Sequence, residues 1–541
     1  MGDDILIVNA VAMQTSATGD YLYRVEQPSI AMGKIPGVAV ITVSTISPHF
    51  ETICLHADVL ILHLLTEHDL LPVVEERKRR RLATVYEISD NFAADQPGVG
   101  IRGWFRDPFN RAQAFQLITM ADAVQVTGDG LLEKYRFLNT RMVVFENQIC
   151  ETGAMRTEEP RSIVIGWGGS SGHAEDLIYI AETITAICNR HPHAIFSFMG
   201  NREQYDIIFA SIKENQRIFT APGTLSEYYQ FLETLDIGIA TMLDTPYNQC
   251  RSDIKFVEYA SRGVVPVLSA ITPYKKHAVH GTNAFLFKDN NELEEILGDL
   301  IANPYLRRDV ADNAFTYVEE KRMEDQNAEN RVSFYKKLCM KKRGTDIKDF
   351  PLARLSPGSE AYDVEKTRAE MLLREGVEEE AHGNVDGARS LYQDAHEAMS
   401  DYYLPLFWLG YSHMRHKEGG KAMKYFGRTL EKNPRSVRSL LYMGKILESR
   451  EKEKALARYE AALSVSSSYA PCIEAIALLC EKSGYYSNAV TFYNNALAVN
   501  PFYSNAALGL GRVYQVLGEN EKAYMAYQVA ADLSATQIEY S

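Results

Sequence analysis

Lys255 and Glu258 stand three residues apart in the run Ser252-Asp253-Ile254-Lys255-Phe256-Val257-Glu258, so a helix there puts an ammonium and a carboxylate on one face. Ser252 and Asp253 precede the first periodic apolar residues, where a cap and a first-turn acid belong. Gly263 supplies a stop before the short apolar run Val264 to Leu268. A helix start with a hydroxyl and a lysine, and a carboxylate one turn later, can take an anion and a diol together. The same spacing fits a capped surface helix carrying a single ion pair, which is the commoner meaning of such a pair.

Other segments carry chemistry as well. Ile165-Gly166-Trp167-Gly168-Gly169-Ser170-Ser171-Gly172-His173 reads as a strand entering a glycine-rich turn, with a helix from Ala174. Glycines let a backbone approach an anion closely, although a tight strand-to-helix connection needs no ligand. Leu235 to Ala240 is a strand that runs into the polar loop Asp244-Thr245-Pro246-Tyr247-Asn248, just ahead of Arg251 and Ser252. Ligands of open α/β sheets bind beyond the carboxyl ends of strands, where these segments present themselves. Glu87-Ile88-Ser89-Asp90-Asn91 ends a strand, and Asp90 could orient or deprotonate a hydroxyl or simply cap the next turn. Thr18-Gly19-Asp20-Tyr21 follows the first strand and is expected along the same cleft. His63 and His68 flank Thr66-Glu67, where structural histidines are common.

The elements that must position these residues fall into two kinds. Up to about residue 300, short β-rich runs alternate with amphipathic segments, which predicts α/β layers. Ile5–Val8, Val38–Val43, Val59–Leu62, Thr84–Ile88, Ala123–Val126 and Met142–Phe145 form one expected sheet. Ile163–Trp167, Ile195–Met199, Arg217–Thr220, Ile237–Ala240 and Val264–Leu268 form another. Glu151 to Arg161, with Gly153 and Pro160, reads as the linker between them, and Asn303 to Leu338 reads as helical. A second linker covers Lys341 to Gly358, with Pro351 and Pro357.

Beyond it, alanines at 388, 422, 455, 489 and 523 recur at spacings of 34, 33, 34 and 34. Gly376, Gly410, Gly444, Ala477 and Gly511 precede them, and Tyr392, Phe426, Tyr459, Tyr493 and Tyr527 follow four residues later. Pro434 and Pro501 close two units. Small residues let paired helices approach, and the aromatic fills the gap. This pattern resembles the tetratricopeptide repeat and predicts an α-solenoid of five units over residues 367–535. Such a stack usually binds a peptide or protein in its groove, though it can also serve as a spacer or an oligomerisation arm. Ala531 to Ser541 are too few for a further capping helix, which leaves a terminal face for a partner such as a second copy.

Composition narrows the function. With 541 residues, 46% hydrophobic and 24% charged, the chain should hold several domains of an ordinary globular kind. A formal charge of −14 argues against nucleic-acid binding. Seven cysteines, an odd number without CxxC spacing, support neither a disulfide framework nor a cysteine zinc site, and a reduced cytoplasmic protein is the simplest expectation. The acidic start Met1-Gly2-Asp3-Asp4 argues against a secretory leader, and no run approaches the about 20 apolar residues of a membrane span. The basic block Arg77-Lys78-Arg79-Arg80-Arg81 could touch an anionic membrane surface or an acidic acceptor, but such a block is usually the solvated end of a helix.

Residues 1 to about 340 resemble a nucleotide-sugar glycosyltransferase with two facing Rossmann-like domains, the GT-B fold, nearest its family-4-type group. The resemblance rests on IGWGGSSGHAEDL, on DIGIATMLDTPYNQCRSDIKFVEYASRGVVPVLS, and on ADAVQVTGDGL with VVFENQ. It implies an acceptor domain over 1–150, a donor domain over 160–340, a linker over 341–366, and then the repeats. It also implies that Gly169, Ser170 and His173 lie against a donor diphosphate. Arg251, Ser252 and Lys255 would bind and neutralise that diphosphate, and Glu258 would hold ribose hydroxyls. The base is expected near Thr220 to Gly223, and Asn147 matches a residue of the hinge. Catalytic work would fall to Lys255, Arg251 and Asp90, without a metal or cofactor, and with retention at the sugar carbon. The donor is expected to be UDP-linked rather than GDP-linked, and the acceptor a protein or glycan brought by the repeats. Many members carry a second glutamate eight residues before the ribose-binding one, and here that position is Cys250. This departure keeps two other readings open, a scaffold with a degenerate transferase half and an epimerase of the same fold.

Overall fold

A computed structural model describes residues 4–12, 19–47, 49–92, 94, 105, 107–155, 162–343 and 360–535. Met1 to Asp3, Thr18, Pro160, Pro351 and Pro357 lie outside them. The first sheet holds β1 (Ile5–Val11), β2 (Val38–Ser44), β3 (Val59–His63), β4 (Ala83–Ile88), β5 (Ala123–Val126) and β6 (Met142–Val144). The second holds β7 (Ile163–Gly168), β8 (Ala194–Met199), β9 (Arg217–Thr220), β10 (Ile237–Ala240), β11 (Val265–Ser269) and β12 (Phe285–Phe287). All pairings are parallel, in the orders β2-β1-β3-β4-β5-β6 and β12-β11-β10-β7-β8-β9. Helices cover such sheets on both faces, which is why β1 and β3 are buried throughout and read as unbroken apolar runs.

Eleven strands fall where the sequence places them, within a few residues at their ends. The twelfth, β12, is the three-residue edge strand Phe-Leu-Phe, too short to show a period. In the second sheet β7 and β10 are neighbours, and the strand order runs away from them in opposite directions. This is the topological switch point, and the glycine-rich turn after β7 and the polar loop after β10 both open onto it. Helix Glu324–Arg343 returns to the first domain, where Ala328, Val332, Tyr335 and Leu338 pack with Ile5, Ile7, Val59 and Val85.

Ten helices, from Glu360–Ala381 to Asn520–Ser534, make the five repeat pairs. The alanines and aromatics of the period sit on the second helix of each pair, and their partner glycines explain the pattern. A Cβ on Gly376 would lie 2.6 Å from the Tyr392 ring, and one on Gly410 would lie 2.7 Å from Phe426. The first repeat helix begins at Glu360, earlier than the expected boundary, because the apolar period starts only where the helix meets its partner.

The solenoid is not a free arm. Arg438 Nε donates to Asp69 at 2.7 Å, Gln116 Nε2 to Ser468 O at 2.8 Å, Asn500 Nδ2 to Ala112 O at 3.1 Å and Arg111 Nη2 to Leu533 O at 2.9 Å. Leu440, Leu441, Cys472 and Ile476 share one apolar cluster with Leu70, Leu71 and Val74 of the first domain. The basic block lies at the end of helix Leu70–Arg79 with Lys78 to Arg81 exposed, as expected, and only Arg77 departs from that reading. Arg77 is fully buried and donates to the carbonyls of Cys54, Ala57 and Ala83 and to Thr84 Oγ1, while Arg79 and Arg80 pair with Glu76. All seven cysteines are free, and among the described residues no helix is long and apolar enough to cross a membrane.

Candidate functional site at the switch point of the second sheet

The turn after β7 is held by its neighbours. Gly169 N donates to Met199 O at 3.0 Å, and a Cβ on Gly169 would meet the Trp167 indole at 2.8 Å, so the turn needs glycine there. Ser170 is exposed at the tip, and Ser171–His173 forms a single tight turn before helix Ala174–Arg190. His173 is buried edge-on to Trp167, with Nδ1 2.9 Å from Asp176 Oδ2. Burial holds the imidazole below its usual range. The Asp176 bond opposes this, and the charges of Arg251 and Lys255 add to the lowering. A neutral ring facing a carboxylate donates from Nδ1 and leaves Nε2 as an acceptor.

Asp176 does more than hold His173. Its Oδ1 accepts from Leu243 N at 2.8 Å and from Asn248 Nδ2 at 3.3 Å, so one buried carboxylate ties the glycine-rich turn to the loop after β10. That loop delivers Arg251, whose guanidinium lies 5.5 Å from the Tyr247 ring centre. Burial works against the Arg251 charge, but Tyr247, Asp90, Tyr274 and Asp176 around it outweigh that and raise its pKa.

Helix Ile254–Ala260 carries the opening pair as expected, with Lys255 Nζ 2.9 Å from Glu258 Oε2. This is no surface pair, because Glu258 is only 4% exposed. Glu258 Oε1 accepts from Tyr23 Oη at 2.6 Å, and Oε2 accepts from Tyr228 Oη at 2.7 Å. Lys255 Nζ also donates to Tyr228 Oη at 2.6 Å and lies 4.7 Å from that ring's centre. The capping expectation differs. Asp253 occupies the cap position without a side-chain cap bond, because its carboxylate takes both amino groups of Arg322 at 2.6 and 2.8 Å. Ser252 Oγ instead accepts from Asn147 Nδ2 at 2.9 Å, and Asn147 Oδ1 accepts from Arg24 Nη1 at 2.8 Å.

From the first domain, Asp90 leaves the end of β4 close enough to Arg251 to support its charge. Asp20 joins this group, with Oδ2 accepting from Ser89 Oγ at 3.0 Å. Its carboxyl is pushed up to about 7, by burial first and then by the Asp90 carboxylate. Cys250 faces the first domain, where Asn91 Nδ2 donates to its Sγ at 3.5 Å and Leu131 and Tyr135 share its apolar cluster. Burial pushes that thiol up to about 11. Glu146 accepts from His277 at 2.9 Å and pairs with Lys276 at 2.7 Å, a further bridge between the domains.

Lys255, Glu258, Ser252, Arg251, His173 and Gly169 thus converge at one switch point, with Asp90 facing them. The turn Thr220 to Gly223 follows the edge strand β9, and His63 and His68 are buried in the first domain. Sequence reasoning missed Tyr23, Tyr228 and Arg322, and gave no role of their own to Asp176 and Asn248, which lie within the motifs it quoted. Asp176 carried a signal as an acid in a helix's first turn, whereas Tyr23 and Glu258 are 235 residues apart and carried none.

No family model matches the chain, and no curated protein matches it. Solved structures with partial likeness include HepE of Anabaena in complex with UDP-glucose, 13% identical over 61% of this chain and 100% of its own, with a TM-score of 0.46. TarM is 11% identical over 53% of this chain and 58% of its own, with a TM-score of 0.41. MamA is 18% identical over 31% of this chain and 91% of its own, with a TM-score of 0.27.

Proposed function

We propose that the chain is a glycosyltransferase that moves a sugar from a nucleoside-diphosphate donor to a hydroxyl of a protein or glycan. The observation that carries this is the cluster of Lys255, Glu258, Arg251 and His173 at the switch point of a dinucleotide-type sheet, with carboxylates facing it from a second domain. In this reading Glu258 accepts the ribose hydroxyls. Lys255 and Arg251 neutralise the diphosphate as it leaves, assisted by the backbone N–H of Ser170, since that of Gly169 is taken by Met199 O. In this reading two fixed cations do this work without a metal, and retention requires the acceptor hydroxyl to attack from the face that the diphosphate leaves. On the same reading Asp90, with Asp20 beside it, takes the acceptor proton. UDP is the expected nucleotide, and we propose that the solenoid brings a partner to the first domain.

Titration calorimetry with UDP and GDP, together with turnover against a panel of UDP- and GDP-sugars, tests the reading. Glu258→Ala should abolish saturable nucleotide binding, and Lys255→Ala should lower turnover by about 10²-fold or more. Near-wild-type turnover in the lysine variant would sink the assignment. Cys250 favours a second reading, a scaffold that binds partners without transferring sugar. In that case wild-type protein shows no Glu258-dependent heat with either nucleotide.

A further inference from the structure

Glu258 offers two oxygens to a diol, and both are engaged by protein groups. Tyr23 Oη sits on Oε1 at 2.6 Å, while Tyr228 Oη and Lys255 Nζ sit on Oε2 at 2.7 and 2.9 Å. Two O–H donors on the two oxygens of one carboxylate is the pattern that a vicinal diol presents. Tyr228 and Lys255 belong to the same domain as Glu258, on helices Leu225–Glu233 and Ile254–Ala260. Tyr23 does not. It comes from the short π-helical turn Leu22–Glu26 of the first domain, and its ring packs in the second domain's core with Tyr229, Phe231, Phe256 and Leu268.

The residue after it fixes this placement. Arg24 pairs with Glu87 at 2.8 Å in a contact only 1% exposed on each side, and donates to Phe145 O at 2.6 Å and Asn147 Oδ1 at 2.8 Å. The Tyr23 backbone is therefore anchored to the first sheet while its hydroxyl is anchored to the second domain. The phenol leaves Glu258 only when the domains part at this contact or when the ring swings out of the second domain's core.

We propose that Tyr23 is an interdomain latch on the donor site. Its hydroxyl holds the carboxylate that a ribose diol must take, so nucleotide binding and release of this contact are one event. This rests on the reading of Glu258 as the diol acceptor. Removing the phenol hydroxyl removes a competitor without touching Glu258, Lys255 or Tyr228.

The experiment is calorimetric titration of full-length wild type, Tyr23→Phe and Glu258→Ala with UDP and with 2′-deoxy-UDP, after thermal melts confirm folding. Tyr23→Leu serves the same test if the phenylalanine variant does not fold. Tyr23→Phe should bind UDP about tenfold tighter than wild type, the scale of losing one competing hydrogen bond to a charged group. The gain should shrink for 2′-deoxy-UDP, which presents only part of the diol. UDP binding that depends on Glu258 but is no tighter in Tyr23→Phe overturns the latch and leaves the diol site standing. Absence of UDP binding in both wild type and Tyr23→Phe overturns the latch and the site together.

Discussion

Asp176→Asn tests how the switch point is assembled, because one carboxylate serves both of the loops that meet there. Asp176 is 1% exposed, with Leu243 N at 2.8 Å on one oxygen and His173 Nδ1 at 2.9 Å on the other. An asparagine of the same shape keeps one acceptor oxygen and turns an NH2 group toward the remaining donor. With its oxygen toward Leu243 N the amide turns NH2 to His173 Nδ1, so the neutral ring must move its proton to Nε2 to accept it; with the amide reversed the Leu243 N–H is stranded, which costs about 1–3 kcal/mol. Lost charge assistance on the bonds that remain brings the expected destabilisation to about 2–3 kcal/mol. For a domain of this size that lowers the melting midpoint by roughly 5–10 °C. The local signature is sharper. The Leu243 amide loses its carboxylate acceptor, so hydrogen exchange over residues 241–249 should quicken, and the loop that delivers Arg251 should loosen with it. Nucleotide affinity should fall with the loop. Asn248→Ala, which removes only the 3.3 Å contact, should have a smaller effect. Unchanged exchange over that segment, with a midpoint within about 1 °C of wild type, would refute the idea that Asp176 couples the two loops.

Three other outcomes follow from the same geometry. Asp20, with its carboxyl pushed up to about 7, is protonated below that pH and ionised above it. An ionised Asp20 makes its neighbour Asp90 the stronger proton acceptor, so turnover should rise with pH through about 7, and Asp20→Asn should remove that rising limb from the rate profile. Gly410→Ala puts a Cβ 2.7 Å from the Phe426 ring, so overpacking should lower solenoid stability by about 1–3 kcal/mol in urea melts. Arg77→Met strands the carbonyls of Cys54, Ala57 and Ala83 inside the first domain, and a loss of about 3–5 kcal/mol should appear as insoluble or proteolysed protein.

Local periodicity made most of the fold legible. Short β-rich runs mark eleven strands, and those buried throughout, such as β1 and β3, read as unbroken apolar runs. The repeats were equally open, because Gly376 against Tyr392 and Gly410 against Phe426 are constraints within one helix pair and recur with its period. Lys255 and Glu258 were visible for the same reason, being neighbours on one helix turn. What surrounds them was not. Asp253 looks like the first-turn acid behind a Ser252 cap in sequence, yet it is drawn to Arg322, 69 residues away, because a buried guanidinium needs a carboxylate more than a helix start does. Arg77 looks like part of a solvated basic block, but its helix position turns it inward among carbonyls. Tyr23 reaches Glu258 only through the docking of two domains, a contact without any local pattern.

The solenoid's attachment changes what its partner could do. Its inter-repeat turns and helix starts are bonded to the helices Leu70–Arg79 and Pro108–Met120 of the first domain, through Arg438 to Asp69, Ser468 to Glu75 and Asn500 to Ala112. Those helices belong to the same domain as Tyr23, Asp20 and Asp90. A parting of the two domains at the contact of Tyr23 with Glu258 therefore moves the solenoid with the first domain and away from the second. A partner bound to the solenoid would keep its register with Asp90 and Asp20 while the donor side opens and closes. Arg438→Ala breaks the pair with Asp69 and removes the cation 4.3 Å from the Phe407 ring centre. It should loosen the solenoid from the first domain, seen as faster proteolysis between the two, while UDP affinity stays within about twofold of wild type because no donor-site contact is touched. A large fall in UDP affinity in that variant would mean that the solenoid supports the donor side as well, and would refute its assignment to the first domain alone.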